Sequence, residues 1–357
     1  MANGTTPSAG SVTSKKVLIS ELNWKYIRSI QLPAGSASTT VNANLLQGFI
    51  IKRLKLNLNY TITPTAATAG FTTANLTACD GWSLIRNLTI QINGGTTIRT
   101  LSGEQLYWWN VFQGQTPKQG WSLSTASPYT ASFNATLDIP FALMDLLKPL
   151  DTCLDARLLN QNAFTIQVTY GTTANVVGSS PAGATGLVLG NVNATIYQDE
   201  FASGAGGFSP SLACLPEIYT NTYSGPVTNA LQPLVGAIAN KLYYAFIVNV
   251  KSGSADAANI LENIQLFSGG NYMIDTNPYE MRQQWLEDHD TPWNWNNSTP
   301  IQATGTGAAN PDANYYIATV PDGYLHGALD VTDIASLNLA FTTNAACTVT
   351  VVALTIR

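Results

Sequence analysis

Two stretches of this chain, about half its length apart, follow one plan. Ser83 to Trp109 reads SLIRNLTIQINGGTTIRTLSGEQLYWW, and Ile260 to Trp285 reads ILENIQLFSGGNYMIDTNPYEMRQQW. Asn87-Leu88-Thr89-Ile90 falls on Asn263-Ile264-Gln265-Leu266, Gly94-Gly95 on Gly269-Gly270 and Glu104 on Glu280, at an offset of 175 to 176 residues. Each copy offers a strand, a glycine hairpin, a second short strand and a segment of helical spacing. Such a period is too long for a solenoid or propeller unit and fits one small β domain. A chain of 357 residues then holds two tandem copies of one fold.

The periodicity between these landmarks is that of strands. Leu54, Leu56, Leu58, Tyr60 and Ile62 alternate with Arg53, Lys55, Asn57, Asn59 and Thr61, giving one buried and one polar face. The pattern returns in Phe164, Ile166, Val168, Tyr170; in Gly190, Val192, Ala194, Ile196; in Tyr244, Phe246, Val248, Val250; and in Leu337, Leu339, Phe341. Long Thr/Ala/Gly/Ser stretches separate them at 63–79, 114–133, 171–186 and 296–313. Strands with decorated connections and little helical periodicity favour an all-β class built of sandwiches.

Two segments break this pattern. GEQLYWWNVFQG carries Leu106, Trp109 and Gln113 at helical spacing; NPYEMRQQWLEDHD has Asn277 as N-cap, Pro278 at the first helical position, and Met281 with Trp285 four apart. Each follows a hairpin, so the two helices are expected to cap the same end of each sandwich. The expected organisation is a mobile arm over 1–15, a first domain over 16–203, a linker over 204–217 in a Gly/Ser/Pro cluster, and a second domain over 218–357. After the arm, Leu18, Leu22 and Tyr26 share a helical face while Arg28, Ile30 and Leu32 alternate. This reads as a short helix or extended lead-in before a first strand that ends at Pro33. Ala318-Thr319-Val320-Pro321 echoes Leu137-Asp138-Ile139-Pro140, and CTVTVVALTIR ends the chain on a strand.

Charge narrows the function. Only 10% of residues are Asp, Glu, Lys or Arg, against roughly a quarter in ordinary soluble domains. Neutral hydroxyls and amides cost less to desolvate than ions, which suits a surface covered by neighbours. The net charge of −5 argues against sequence-specific nucleic-acid binding. Seven of the sixteen basic residues lie in the first 55 positions with Glu21 as the sole acid there, so the start is near +6 and the remainder near −11. That end is expected to face an anionic surface, with Lys15, Lys16, Lys25 and Arg28 as the contacting residues.

Catalytic chemistry finds few candidates. His289 and His326 are the only histidines; Glu287-Asp288-His289-Asp290 reads as a solvated turn rather than a metal site, and no cofactor is implied. Cys79, Cys153, Cys214 and Cys347 are widely spaced and read as buried thiols in a reduced compartment. Asp151 and Asp155 beside Cys153 disfavour a thiolate. The glycine pairs fit hairpins rather than phosphate loops. Trp108, Trp109, Trp285, Trp293 and Trp295 read as packing or subunit contacts, and sequons at Asn59, Asn87 and Asn193 fall within strands. MANGTTPSAGSVTS lacks a secretory apolar core, and no run of 18 apolar residues exists, so neither export by that route nor a membrane span is expected.

LLQGFIIKRLKLNLNYTIT, followed by DGWSLIRNLTIQINGGTTIRTLSGEQLYWWNVFQGQ, resembles the opening strands and helical turn of the tectivirus coat. ATLDIPFALMDLLKPLDTCLDARLLNQNAFTIQVTYGT is similar to that family's later strands. The resemblance is to the major capsid proteins of tailless, membrane-containing bacteriophages of the tectivirus and corticovirus lineage, and it covers most of the chain. It implies two eight-stranded jelly rolls, a pseudo-hexameric homotrimer tiling an icosahedral shell, contact with neighbouring capsomers and minor capsid or vertex proteins, and assembly in the bacterial cytoplasm. It also implies an N-terminal arm lying against an internal viral membrane, and no enzymatic activity. Two other readings fit two sandwiches: a glycan-processing enzyme with a carboxylate pair between domains, and a carbohydrate-binding or adhesin module using the tryptophans.

Overall fold

A computed structural model describes residues 25–76, 79–112, 120–142, 152–159, 164–201, 216–225, 230–234, 242–253, 255–256, 260–268, 271–281, 283, 314–318, 329–330 and 337–356. The first half carries β1 (Lys25–Gln31), β2 (Thr40–Asn44), β3 (Ile50–Thr65), β4 (Ile85–Ile92), β5 (Thr96–Leu101), helix α1 (Gly103–Phe112), β6 (Trp121–Leu123), β7 (Ala131–Pro140), β8 (Leu154–Asp155), β9 (Thr165–Tyr170), β10 (Gly186–Leu189) and β11 (Asn193–Phe201). The second carries β12 (Pro216–Ser224), β13 (Ala230–Pro233), β14 (Leu242–Ser252), β15 (Ala255–Asp256), β16 (Leu261–Ser268), β17 (Asn271–Thr276), a helical turn at 278–281, β18 (Asn314–Ala318), β19 (Leu329–Asp330), β20 (Leu337–Thr343) and β21 (Thr348–Ile356).

The strand orders are the same in both halves. β1-β11-β3-β7 makes one antiparallel sheet of the first half and β2-β9-β4-β5 the other; β12-β21-β14-β18 and β13-β20-β16-β17 repeat them. Numbered one to eight along each half, the principal strands pair as 1-8-3-6 and 2-7-4-5, which is an eight-stranded jelly roll. Even the accessory pairings recur: Leu154-Asp155 lies beside the start of β3, and Leu329-Asp330, 175 residues on, beside the start of β14.

Irregularities in the ladders recur too. Arg86 is the extra residue between β4 and β9, and Glu262 the extra residue between β16 and β20. Ile98 bulges from β5 and Met273 from β17. Lys52 bulges from β3, and Tyr244 from β14. These pairs fix which residue of one roll is the counterpart of which in the other. The first hairpin turns through Asn93, Gly94 and Gly95, all at positive φ, while Ser268 faces Asn271 directly. The shorter second turn is why the offset drops from 176 to 175.

After the hairpin, Ser102 and Gln105 bond reciprocally, backbone N–H to side chain, as a capping box; Asn277 and Glu280 do the same. Gln105 is thus the counterpart of Glu280, and the expected match of Glu104 with Glu280 is one residue out. Asn277 and Pro278 take the cap and first helical positions as their types dictate. Gly103 opens α1 because a Cβ there would lie 1.9 Å from the Trp82 carbonyl oxygen. The echo around Pro140 and Pro321 is also out of register: Pro140 pairs with Arg53, and the residue holding that place opposite β14 is Ala318. Arg28 and Ile30 lie in β1 as expected; Tyr26, expected on a helical face with Leu18 and Leu22, instead pairs with Glu200 inside β1, and Leu18 and Leu22 lie outside the described residues.

Burial separates the two halves. In β3 the alternation holds, with Leu54, Leu56, Leu58, Tyr60 and Ile62 buried and Lys55, Asn57, Asn59 and Thr61 facing outward. In β14 both faces are buried. Tyr243, Phe246, Val248 and Val250 fill the second roll, whereas Tyr244, Ala245 and Ile247 join the core of the first. The expected series beginning at Tyr244 breaks at its first member, because the bulge turns that residue to the opposite face. β21 divides likewise, with Val349, Val351 and Ala353 on one side and Val352, Leu354 and Ile356 on the other.

Candidate subunit-contact surfaces

Three surfaces dominate the chemistry of the described residues. The first is the junction of the two rolls. β5, an edge strand of the first roll, lies against β12, an edge strand of the second. Ile98 of β5 and Ile218 of β12 are buried, at 1% and 5% exposure, in a core that continues through Ile247, Val352 and Leu354. Each such side chain contributes about 1.5–3 kcal/mol on full burial, so the apolar contact holds the junction. Lys251 Nζ donates to Glu104 Oε2 at 2.6 Å across its rim. Both side chains are about a quarter exposed, so this pair adds at most about 1 kcal/mol and mainly sets orientation.

The second surface is the outward face of the β1-β11-β3-β7 sheet. Asn193, Asn59 and Asn134 stand in one row, Thr195, Asn57 and Thr136 in the next, and Tyr197, Lys55 and Asp138 in a third. Asn57 Nδ2 donates to Asn134 Oδ1 at 3.0 Å and Thr136 Oγ1 at 3.1 Å, and Thr195 Oγ1 to Gln31 Oε1 at 3.3 Å. Arg53 donates to Asp199 Oδ2 at 2.9 Å and to Asp138, so its charge is neutralised locally. Ile27 and Tyr197 project from this face as exposed apolar side chains.

The third is the end of the first roll from which the N-terminal segment departs. Arg28 of β1 grips Glu200 of β11 through Nε at 2.6 Å and Nη2 at 2.7 Å, donates to the Gln47 carbonyl, and lies over the Phe49 ring. Gln198 clamps Leu46 by both backbone groups and donates to Glu200. Burial pushes the Glu200 carboxyl above its usual pKa, and the Arg28 guanidinium works against that rise. β1 is therefore tied to the sandwich by an ion pair whose carboxylate is buried and whose guanidinium is partly exposed.

Of the basic residues expected to contact an anionic surface, Lys15 and Lys16 lie outside the described residues. Lys25 opens β1 opposite Phe201, and Arg28 is committed to Glu200. Trp108 is buried against Tyr107 and Phe112, and Trp109 is buried under the Arg99 guanidinium, both as packing residues. Cys153 and Cys347 are buried thiols. Asn59, Asn87 and Asn193 fall within strands. Trp285, Trp293, Trp295, His289, His326 and Glu287 lie outside the described residues. Sequence reasoning missed the roles of Asp138, Asp199 and Glu200. Their signal was available, since acids inside strands of a charge-poor chain need cationic partners.

No protein-family model and no curated protein sequence matches the chain. Solved structures do. The crystal structure of the STIV MCP superposes with a TM-score of 0.64 at 16% identity, covering 93% of this chain and 96% of that one. The major capsid protein P2 from bacteriophage PM2 gives 0.58 at 11% identity, covering 93% and 97%. The PBCV-1 virus capsid gives 0.50 at 12%, covering 92% and 93%. Both rolls are included in these matches, so the chain has, over nearly its full length, the double jelly-roll fold of these viral coat proteins.

Proposed function

We propose that the chain is the major coat subunit of an icosahedral virus. Three copies form a pseudo-hexagonal trimer, and trimers tile a shell around an internal membrane, meeting minor proteins at the vertices of a virion assembled in a bacterial cell. The observation that carries this reading is the whole-chain match of two tandem rolls to capsid proteins, with neither roll left over and little added. The neutral rows around Asn57 support it, because such a face can be covered by a neighbour without stripping water from ions. Binding energy spread over repeated contacts does the work, and no residue is assigned a catalytic role.

Light scattering tests the reading. Purified chain should scatter as three times 38.1 kDa, with a hexagonal outline in negative stain; a monomer at micromolar concentration overturns it. Membrane contact is assigned to the N-terminal segment through Lys15, Lys16 and Lys25, since Arg28 already has its partner. Replacing these three lysines by glutamate should abolish flotation with anionic liposomes. Unchanged flotation removes the membrane contact and leaves the coat reading standing.

A further inference from the structure

The junction inside the chain has an exposed counterpart on two other edge strands, β1 of the first roll and β17 of the second. Ladder register makes Met273 the counterpart of Ile98, since each is the bulged residue of its strand. It makes Ile27 the counterpart of Ile218, since Ile27 pairs with Asp199 and Ile218 with Leu354, the residues that flank equivalent bulges. Ile98 and Ile218 are buried where the rolls meet, yet Met273 is 41% exposed and Ile27 56%. The ion pair behaves the same way. Tyr279, one residue before Glu280 as Glu104 is before Gln105, is 76% exposed. Asn59, the counterpart of Lys251 in the register of β3 and β14, is exposed too.

We infer that β17 and the helical turn after it dock on β1 and the outward β1-β11-β3 face of a second copy, as β5 and α1 dock on β12 and its sheet within one chain. Met273 then sits over the partner's β1 near its Ile27, and Tyr279 reaches the position of its Asn59. This rests on the coat-subunit reading and specifies its contact. Three of the exposed large apolar side chains, Ile27, Met273 and Tyr279, are buried by it. The contact is head to tail, using different surfaces on the two copies; in the trimer proposed above, three such contacts between chains alternate with the three junctions within them.

The test rebuilds the internal ion pair between chains. Tyr279→Glu combined with Asn59→Lys should keep the trimer at low salt and make it dissociate as salt rises, while either change alone should weaken association at least tenfold. Ile27→Asp and Met273→Asp should each reduce the scattering mass threefold with an unchanged far-ultraviolet circular dichroism spectrum. Asn59→Cys with Tyr279→Cys, oxidised, should give covalently linked chains up to three. Trimers that survive both aspartate variants, with no cross-linking by the cysteine pair, overturn the assignment and leave the trimer itself intact. Dimers cross-linked by one cysteine variant alone overturn the head-to-tail geometry. A monomeric wild-type chain overturns this contact and the coat reading together.

Discussion

Glu200 couples its ionisation to the fold. It is buried, and burial raises its pKa against the pull of Arg28. A carboxyl raised in the folded state favours folding fully below the ordinary carboxylate pKa, and that contribution is lost as pH rises through the folded value. Glu200→Gln should therefore flatten the stability profile above about pH 4.3, read as denaturant midpoints between pH 4 and 8. Arg28→Met should act in the opposite sense. It leaves a buried carboxylate without its cation and should cost about 2 kcal/mol at neutral pH, with little cost in acid. The rest of this network was only partly legible in the sequence. Arg28 read as a free cation because its partner is 172 residues away, a distance that no local pattern spans.

At the scale of elements, local rules worked where local chemistry decides. The alternation in β3 and the Asn277-Pro278 helix start were legible because a polar face or an unsatisfied N–H selects the residue type on the spot. The Glu104 match failed because helix placement depends on the cap, and Ser102 was not recognised as one. Ser102→Ala and Asn277→Ala should each cost about 1 kcal/mol, and equal losses in thermal unfolding would show that the two caps do the same work. The bulges were illegible for a different reason. An extra residue in a ladder is defined by its partner strand, and a single-strand pattern such as Tyr244, Phe246, Val248 runs straight through it.

For the whole molecule, the difference between the rolls counts more than their likeness. Ile247 and Lys55 hold equivalent places in β14 and β3, yet Ile247 is buried between the rolls and Lys55 is half-exposed. Ile247→Lys should cost about 4 kcal/mol or more, as an unpaired charge in an apolar contact. Lys55→Ile should leave the isolated chain within about 0.5 kcal/mol of its starting stability. Chemical denaturation of the two variants side by side measures the contrast. The sequence carried this difference in plain view: β14 reads LYYAFIVNV where β3 reads LKLNLNYT, and a strand that has lost its alternation is one covered on both faces.

The shared bulges also bear on ancestry. Removing Ile98 would turn Arg99 and every later residue of β5 to the opposite face, so no gradual path of single substitutions erases such an insertion. Side chains can turn over almost completely while these irregularities stay. Three stand at matching positions in both rolls, as two descendants of one single-roll gene would keep them. The contact now sealed inside the chain would then have begun between separate molecules.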